Sequence, residues 1–167
     1  PSKVRIKYRK RRELEIKFHT LLPYGIILGH RHYLIAWLDN PKANKFLPFS
    51  IPNIEEVEYL DEGFERDEEF SLTAYTERSF GVFQEEPFDV VWRFTPEAAV
   101  HAKEYLFHPS QTMEEEQDGS LLVKFHAGGK HEMIWHLYAW GDNVEVIAPQ
   151  ELADEVNPHR SPWRALP

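Results

Sequence analysis

Lys3-Val4-Arg5-Ile6-Lys7-Tyr8-Arg9-Lys10-Arg11-Arg12 opens the chain with strict alternation of basic and apolar residues. A period of two puts Val4, Ile6 and Tyr8 on one face of a strand and Lys3, Arg5, Lys7 and Arg9 on the other. Leu14, Ile16 and Phe18 alternate in the same way with Glu13, Glu15 and Lys17, so two amphipathic strands joined by a basic turn are expected. Further short strands follow: the apolar run Leu21–Leu28 broken by Pro23-Tyr24-Gly25, then His32–Leu38 after the turn Gly29-His30-Arg31, then Phe46–Phe49 and Ile54–Leu60. Five or six short strands in succession with almost no helix point to a small barrel or a sandwich.

The basic opening is set in an acidic chain. Residues 1–45 hold eleven Lys/Arg against three Asp/Glu, whereas residues 46–167 hold eight against 25, so the net charge of −9 conceals a dipolar molecule. Such asymmetry speaks to partners and steering rather than to fold. With 42% hydrophobic and 14% aromatic residues the 167-residue chain can bury a core, which excludes a disordered segment. Cysteine is absent, so disulfides, thiol nucleophiles and zinc ribbons are excluded. No run approaches the ~20 apolar residues of a membrane span, and no apolar leader is present, so a cytoplasmic protein without membrane contact is expected.

The second half changes character. Ser71 is placed to cap a short helix bearing Leu72 and Tyr75, and Gln84-Glu85-Glu86-Pro87 reads as a linker. Phe88–Phe94 reads as a strand, and Thr95-Pro96-Glu97 as an N-cap with proline in the first turn of a helix. Asp118-Gly119 between two strand-like runs signals a hairpin. Lys130–Trp140 shows helical spacing up to Gly141, and Val144–Ala148 and Pro149–Val156 supply a last strand and helix. Strand, helix, hairpin, helix, strand is the split pattern of a ferredoxin-like sandwich. The expected class is therefore α+β, with domains at 1–83 and 88–157 and a loose tail at 158–167.

Leu22-Pro23-Tyr24-Gly25, His32-Tyr33-Leu34-Ile35-Ala36-Trp37 and Val57-Glu58-Tyr59-Leu60-Asp61-Glu62-Gly63-Phe64, in that order, resemble the WYL domain of bacterial transcriptional regulators. Phe80-Gly81, Arg93-Phe94, His108-Pro109-Ser110-Gln111, Asp118-Gly119, Trp140-Gly141 and Val144–Pro149 resemble the C-terminal extension that accompanies it. The resemblance implies an Sm-like (SH3-like) β-barrel followed by the ferredoxin-like domain. It also implies ligand sensing in an arginine-rich pocket, single-stranded nucleic acid in some members, and a DNA-reading helix-turn-helix that this sequence does not contain. The chain then reads as the effector and dimerisation part of a regulator, a homodimer whose promoter contact is made elsewhere.

The departures from that pattern are chemical. His32 stands where the family's tryptophan would be. The arginine-rich strand corresponds to Leu47–Ile54, which has no arginine, and the arginine before the Leu22-Pro23 pair corresponds to His19. Imidazole carries at most a partial charge near neutrality, unlike a guanidinium fork. The residues expected to meet a ligand or nucleic acid are Arg5, Lys7, Arg9 and Arg31 on the basic surface, with His19, His32, Tyr33 and Lys45 about the pocket. A small-molecule or protein-binding oligomerisation module without nucleic acid is the alternative.

Other constellations carry less. His30-x-His32 with His19 is a weak metal pattern, and His131 and His136 lie about 140° apart on a helix. Gly128-Gly129-Lys130 lacks the remainder of a phosphate loop, and Glu114-Glu115-Glu116 fits a solvated hairpin strand. No nucleophile, base and orienter combination stands out, so neither an enzyme nor a cofactor is expected. Trp92, Phe94, Tyr105, Phe107, Phe125, Trp135, Tyr138 and Trp140 exceed what one small sandwich can enclose, which points to an interface in the second domain.

Overall fold

The computed structural model describes residues 1–10, 15–28, 32–43 and 45–162. They form two compact units, Pro1–Leu72 and Thr73–Pro167.

In the first unit, β1 (Ser2–Arg9), β2 (Ile16–Ile27), β3 (Tyr33–Leu38), β4 (Phe46–Ser50) and β5 (Ile54–Gly63) make one antiparallel sheet in the order β4-β3-β2-β1-β5. The β1–β2 register pairs Val4 with Leu21, Ile6 with His19 and Lys7 with Phe18. Residues directly opposite share a face, so His19 and Leu21, not Phe18, join Val4 and Ile6. Phe18 instead lies beside Lys7 and is 65% exposed. The stripe expected from Ile16 and Phe18 is thus one residue out of step. A single-residue slip turns every side chain over, and the apolar contacts of Leu21 decide the register.

Val4, Ile6, Leu21, Ala36, Leu38 and Phe49 form the core on this face, with Tyr8, Leu34, Leu47 and Ile54 packed against it. The opposite face of β3 is covered as well. Tyr24 at a bulge in β2 meets Phe46, Phe64 and Phe70, Phe46 meets Trp37, and Leu72 packs on Gly25.

The expected barrel is corrected to an open five-stranded sheet. Among the described residues, no backbone pairing joins β4 to β5. Ser50 leads into a 3-10 turn, Ile51–Asn53, and its N–H is donated to the Tyr8 hydroxyl, 3.3 Å away, rather than to β5.

The second unit opens within α1 (Leu72–Glu77) and continues through β6 (Phe88–Phe94), α2 (Pro96–Ala102), β7 (Thr112–Glu115), β8 (Leu121–Ala127), α3 (Lys130–Trp140), β9 (Val144–Ala148) and α4 (Gln150–Val156). The sheet is antiparallel in the order β7-β8-β6-β9, so β8 separates β7 from β6 although α2 alone links those two in sequence. Val90, Trp92 and Phe94, with Leu121, Val123, Phe125, Val144 and Val146, are buried with Ala98, Ala99 and Ala102 of α2, Met133, Leu137 and Trp140 of α3, and Leu152 and Val156 of α4. Local signals act as expected. Thr95 Oγ1 accepts the Ala98 N–H across the first turn of α2, and Gly119 takes φ +87° in the β7–β8 turn, a conformation open to glycine.

Two segments are tied down where the sequence suggested loose chain. Glu85, within the expected linker, accepts N–H bonds from Gly129 and Lys130 at the start of α3. Beyond α4, the Asn157 side-chain amide bonds both N–H and C=O of Val146, Arg160 donates to Val144 O, and Asp142 N–H reaches Ser161 O. Residues 157–161 therefore seal the β9 edge, which an unpaired strand would otherwise leave open to other chains. No helix among the described residues is long and apolar enough to cross a membrane.

Candidate functional site

The basic face of β1 is occupied. β5 runs antiparallel beside it, with Arg5 opposite Glu58 and Lys7 opposite Glu56. Lys3 Nζ lies 2.9 Å from Asp39 and 3.1 Å from Glu62, Arg5 3.3 Å from Glu58, Lys7 2.7 Å from Glu56 and 3.4 Å from Glu55, and Arg9 2.7 Å from Glu55. Four cations thus face five carboxylates. The pairing with Asp39 and Glu62 raises the Lys3 pKa, and the bond to Glu56 raises that of Lys7. The bond from Arg9 lowers the Glu55 pKa. A phosphate chain would have to displace these carboxylates before gaining the cations.

The pocket residues do not converge. His19 shares the face of Ile6, and its ring lies 6.1 Å from Tyr8 and 5.8 Å from Phe49. Tyr33 pairs with Ser50 one step from the Leu34–Phe49 pair, which places it on the opposite face, 6% exposed. Lys45 precedes β4 beside Leu38, so it lies at the far end of β3 from Tyr33, roughly 16 Å along the strand. His32 is exposed, and its carbonyl accepts the Ile51 N–H. Arg31, with His30 and the turn at Gly29, lies outside the described residues, as do Arg11 and Arg12.

What does assemble is Tyr8, His19 and Phe49, with Ser50 N–H on the Tyr8 hydroxyl. Burial lowers the His19 pKa, and the positive charge of Lys17 lowers it further. The uncharged imidazole is therefore the favoured form, and it offers one donor and one acceptor beside two aromatic rings. Such a group suits a polar, uncharged or aromatic ligand and lacks the permanent charge that holds phosphate.

In the second unit the motif residues are structural. Gln111 Oε1 accepts the N–H groups of Phe107 and His108, and its Nε2 donates to Tyr105 O. Ser110 N–H donates to His108 Nδ1, and Ser110 Oγ accepts the His126 N–H on β8. His108-Pro109-Ser110-Gln111 is thus a latch for the α2–β7 connection. Glu132 on α3 accepts N–H bonds from Val82 and Phe83, and Gly81 leaves room for that carboxylate, which a Cβ there would push aside. The carboxylates of Glu114, Glu115 and Glu116 pair with Lys124, Lys103 and Arg93 respectively. Neither Glu85 nor Glu132 carries a sequence signal, since their partners lie 44 to 50 residues away. Among the described residues, no group of three His, Asp or Glu is placed to hold a metal ion.

With this geometry in place, comparison with known proteins adds the following. Residues 86–157 match the WCX domain. That model, the C-terminal extension of WYL proteins, covers the chain from just before β6 to the end of α4. No curated protein matches the chain. Among solved structures it is similar to a CRISPR Cas-related protein, at 13% identity and a TM-score of 0.58 over 94% of this chain and 45% of that one. It is also similar to proteasome accessory factor B/C (PafBC) of Arthrobacter aurescens, at 15% identity and a TM-score of 0.42 over 93% of this chain and 24% of that one. The chain thus spans a little under half of the first of these structures and about a quarter of the second, and the likeness to the first is one of fold.

Proposed function

We propose that the chain is the effector-sensing and dimerisation part of a WYL-type transcriptional regulator acting inside the cell. The WCX match over residues 86–157 is the observation that carries this reading. The strand order β4-β3-β2-β1-β5 supports a first unit of Sm-like descent that is open between its outer strands, and β7-β8-β6-β9 supports a ferredoxin-like second unit. DNA reading would be supplied by a helix-turn-helix outside this sequence.

The ligand we assign to the first unit is a small polar or aromatic molecule at Tyr8, His19 and Phe49. Support comes from the neutral imidazole, and from the pairing of Lys3, Arg5, Lys7 and Arg9 with carboxylates, which leaves a single-stranded nucleic acid little to neutralise. Trp135 and Tyr138 on the outside of α3, 57% and 43% exposed, support association of two copies through the second unit. Native mass spectrometry after incubation with a metabolite extract tests both parts. The expected species is two 19.7 kDa chains carrying a bound small molecule that His19→Ala loses. A bare monomer at micromolar concentration overturns the reading.

A further inference from the structure

β5 offers a docking edge. It is ten residues long, stands at the end of the sheet, and among the described residues pairs with β1 alone. Long edge strands are ordinarily blunted by charged side chains, proline, bulges or a covering element, because their outward N–H and C=O groups invite another strand. On β5 the charges are the carboxylates of Glu55, Glu56, Glu58, Asp61 and Glu62, which repel an acidic strand and not a basic one. Ile54–Gly63 contains neither lysine nor proline, and Val57 and Tyr59 on it are 53% and 80% exposed.

The two faces of β5 specify different neighbours. Glu56 and Glu58 stand opposite Lys7 and Arg5, yet their side chains remain 68% and 62% exposed. A carboxylate accepts several hydrogen bonds, and one cation on the β1 side leaves capacity toward the free edge. A strand added there would set its side chains directly beside Glu56 and Glu58, where like charge is penalised and Lys or Arg is favoured. On the other face, Val57 and Tyr59 lie opposite Ile6 and Val4, so apolar residues on the incoming strand would extend the existing core face. The sequence beyond the strand, Glu65 to Glu69, adds four more acids, and its one cation, Arg66, is bonded to Tyr24 O.

We propose that the free edge of β5 binds an extended segment of a partner protein in which basic and apolar residues alternate. The pattern required is that of β1 itself. A second copy cannot supply its own β1, which lies between β2 and β5. Backbone pairing would hold the segment, while Glu56, Glu58, Val57 and Tyr59 would select it.

The test uses the full chain and a labelled synthetic peptide with the sequence of residues 3–9. Backbone amide shifts confined to residues 54–63 are expected. Binding should weaken about tenfold with Tyr59→Lys, and similarly when the peptide's Lys and Arg become Glu. It should be lost when alternate peptide amides are N-methylated, and the melting curve of the variant should match that of the parent. Equal binding of the N-methylated peptide would mean charge adsorption without strand addition and would overturn the proposal. So would shifts outside β5, no binding at low salt, or a dimer in sedimentation that Tyr59→Lys abolishes, which would put a second copy on β5.

Discussion

Arg5 on β1 and Glu58 on β5 stand directly opposite each other, with guanidinium and carboxylate 3.3 Å apart. Lys7 and Glu56 repeat the arrangement at 2.7 Å, so the most basic segment of the chain is a rung-by-rung partner of one of its most acidic. Glu58→Lys should lower stability by roughly 0.2–1 kcal/mol, and the exchange Arg5→Glu with Glu58→Arg should restore it. Thermal melts should show the loss shrinking in 1 M salt, where the Debye length is about 3 Å.

The same ladder sets a pH window. Asp39 and Glu62 raise the Lys3 pKa and Glu56 raises that of Lys7 above the ordinary 10.5, so their contribution is full below 10.5 and is lost as pH rises through the folded values. Arg9 lowers the Glu55 pKa below 4.5, so its contribution is full above 4.5 and is lost as pH falls through the folded value. Melting temperature should therefore fall at both extremes, and Glu55→Gln should flatten the acid limb.

Burial lowers the pKa of both His19 and His108 below the ordinary 6.5. Each stabilises the fold as neutral imidazole above 6.5 and disfavours it once protonated, so stability should begin to decline as pH drops below 6.5. His19→Gln, measured by urea unfolding between pH 7 and pH 5, should remove part of that slope.

Asn157 substitutes for a neighbouring strand at Val146, bonding its N–H and its C=O. Asn157→Ala strands both groups at the edge of β9 and should cost about 1–3 kcal/mol in urea denaturation. A loose tail would show no change.

Glu132→Ala should loosen residues 79–83 without disturbing the sheet, because Val82 and Phe83 lose their acceptor. Hydrogen exchange is the direct reading, with faster exchange at those two amides and unchanged protection in β6 and β8.

The second unit was largely legible because its signals are local. Thr95-Pro96, Asp118-Gly119 and Gly141 each act within a few residues of themselves, and each marks the boundary or turn expected of it. What escaped is long-range. The β1–β5 pairing joins residues about 50 apart, the Glu85 and Glu132 carboxylates serve backbone 44 to 50 residues away, and Asn157 and Arg160 bond to β9 through side chains of no marked pattern. In the candidate site, alternation identified the faces of β1 correctly. It could not show that those cations would meet Glu55, Glu56 and Glu58, nor that the β2 bulge and its register would set Tyr33 and His19 on opposite sides of one sheet.

Whether the basic face of β1 is spent within the sheet is decided by fluorescence anisotropy of a labelled single-stranded oligonucleotide of about 20 nucleotides across a salt series. The parent chain should show no binding at physiological salt. The triple variant Glu55→Gln, Glu56→Gln, Glu58→Gln should acquire binding that falls steeply as salt rises. Binding by the parent that Arg5→Ala, Lys7→Ala and Arg9→Ala together abolish would contradict the account.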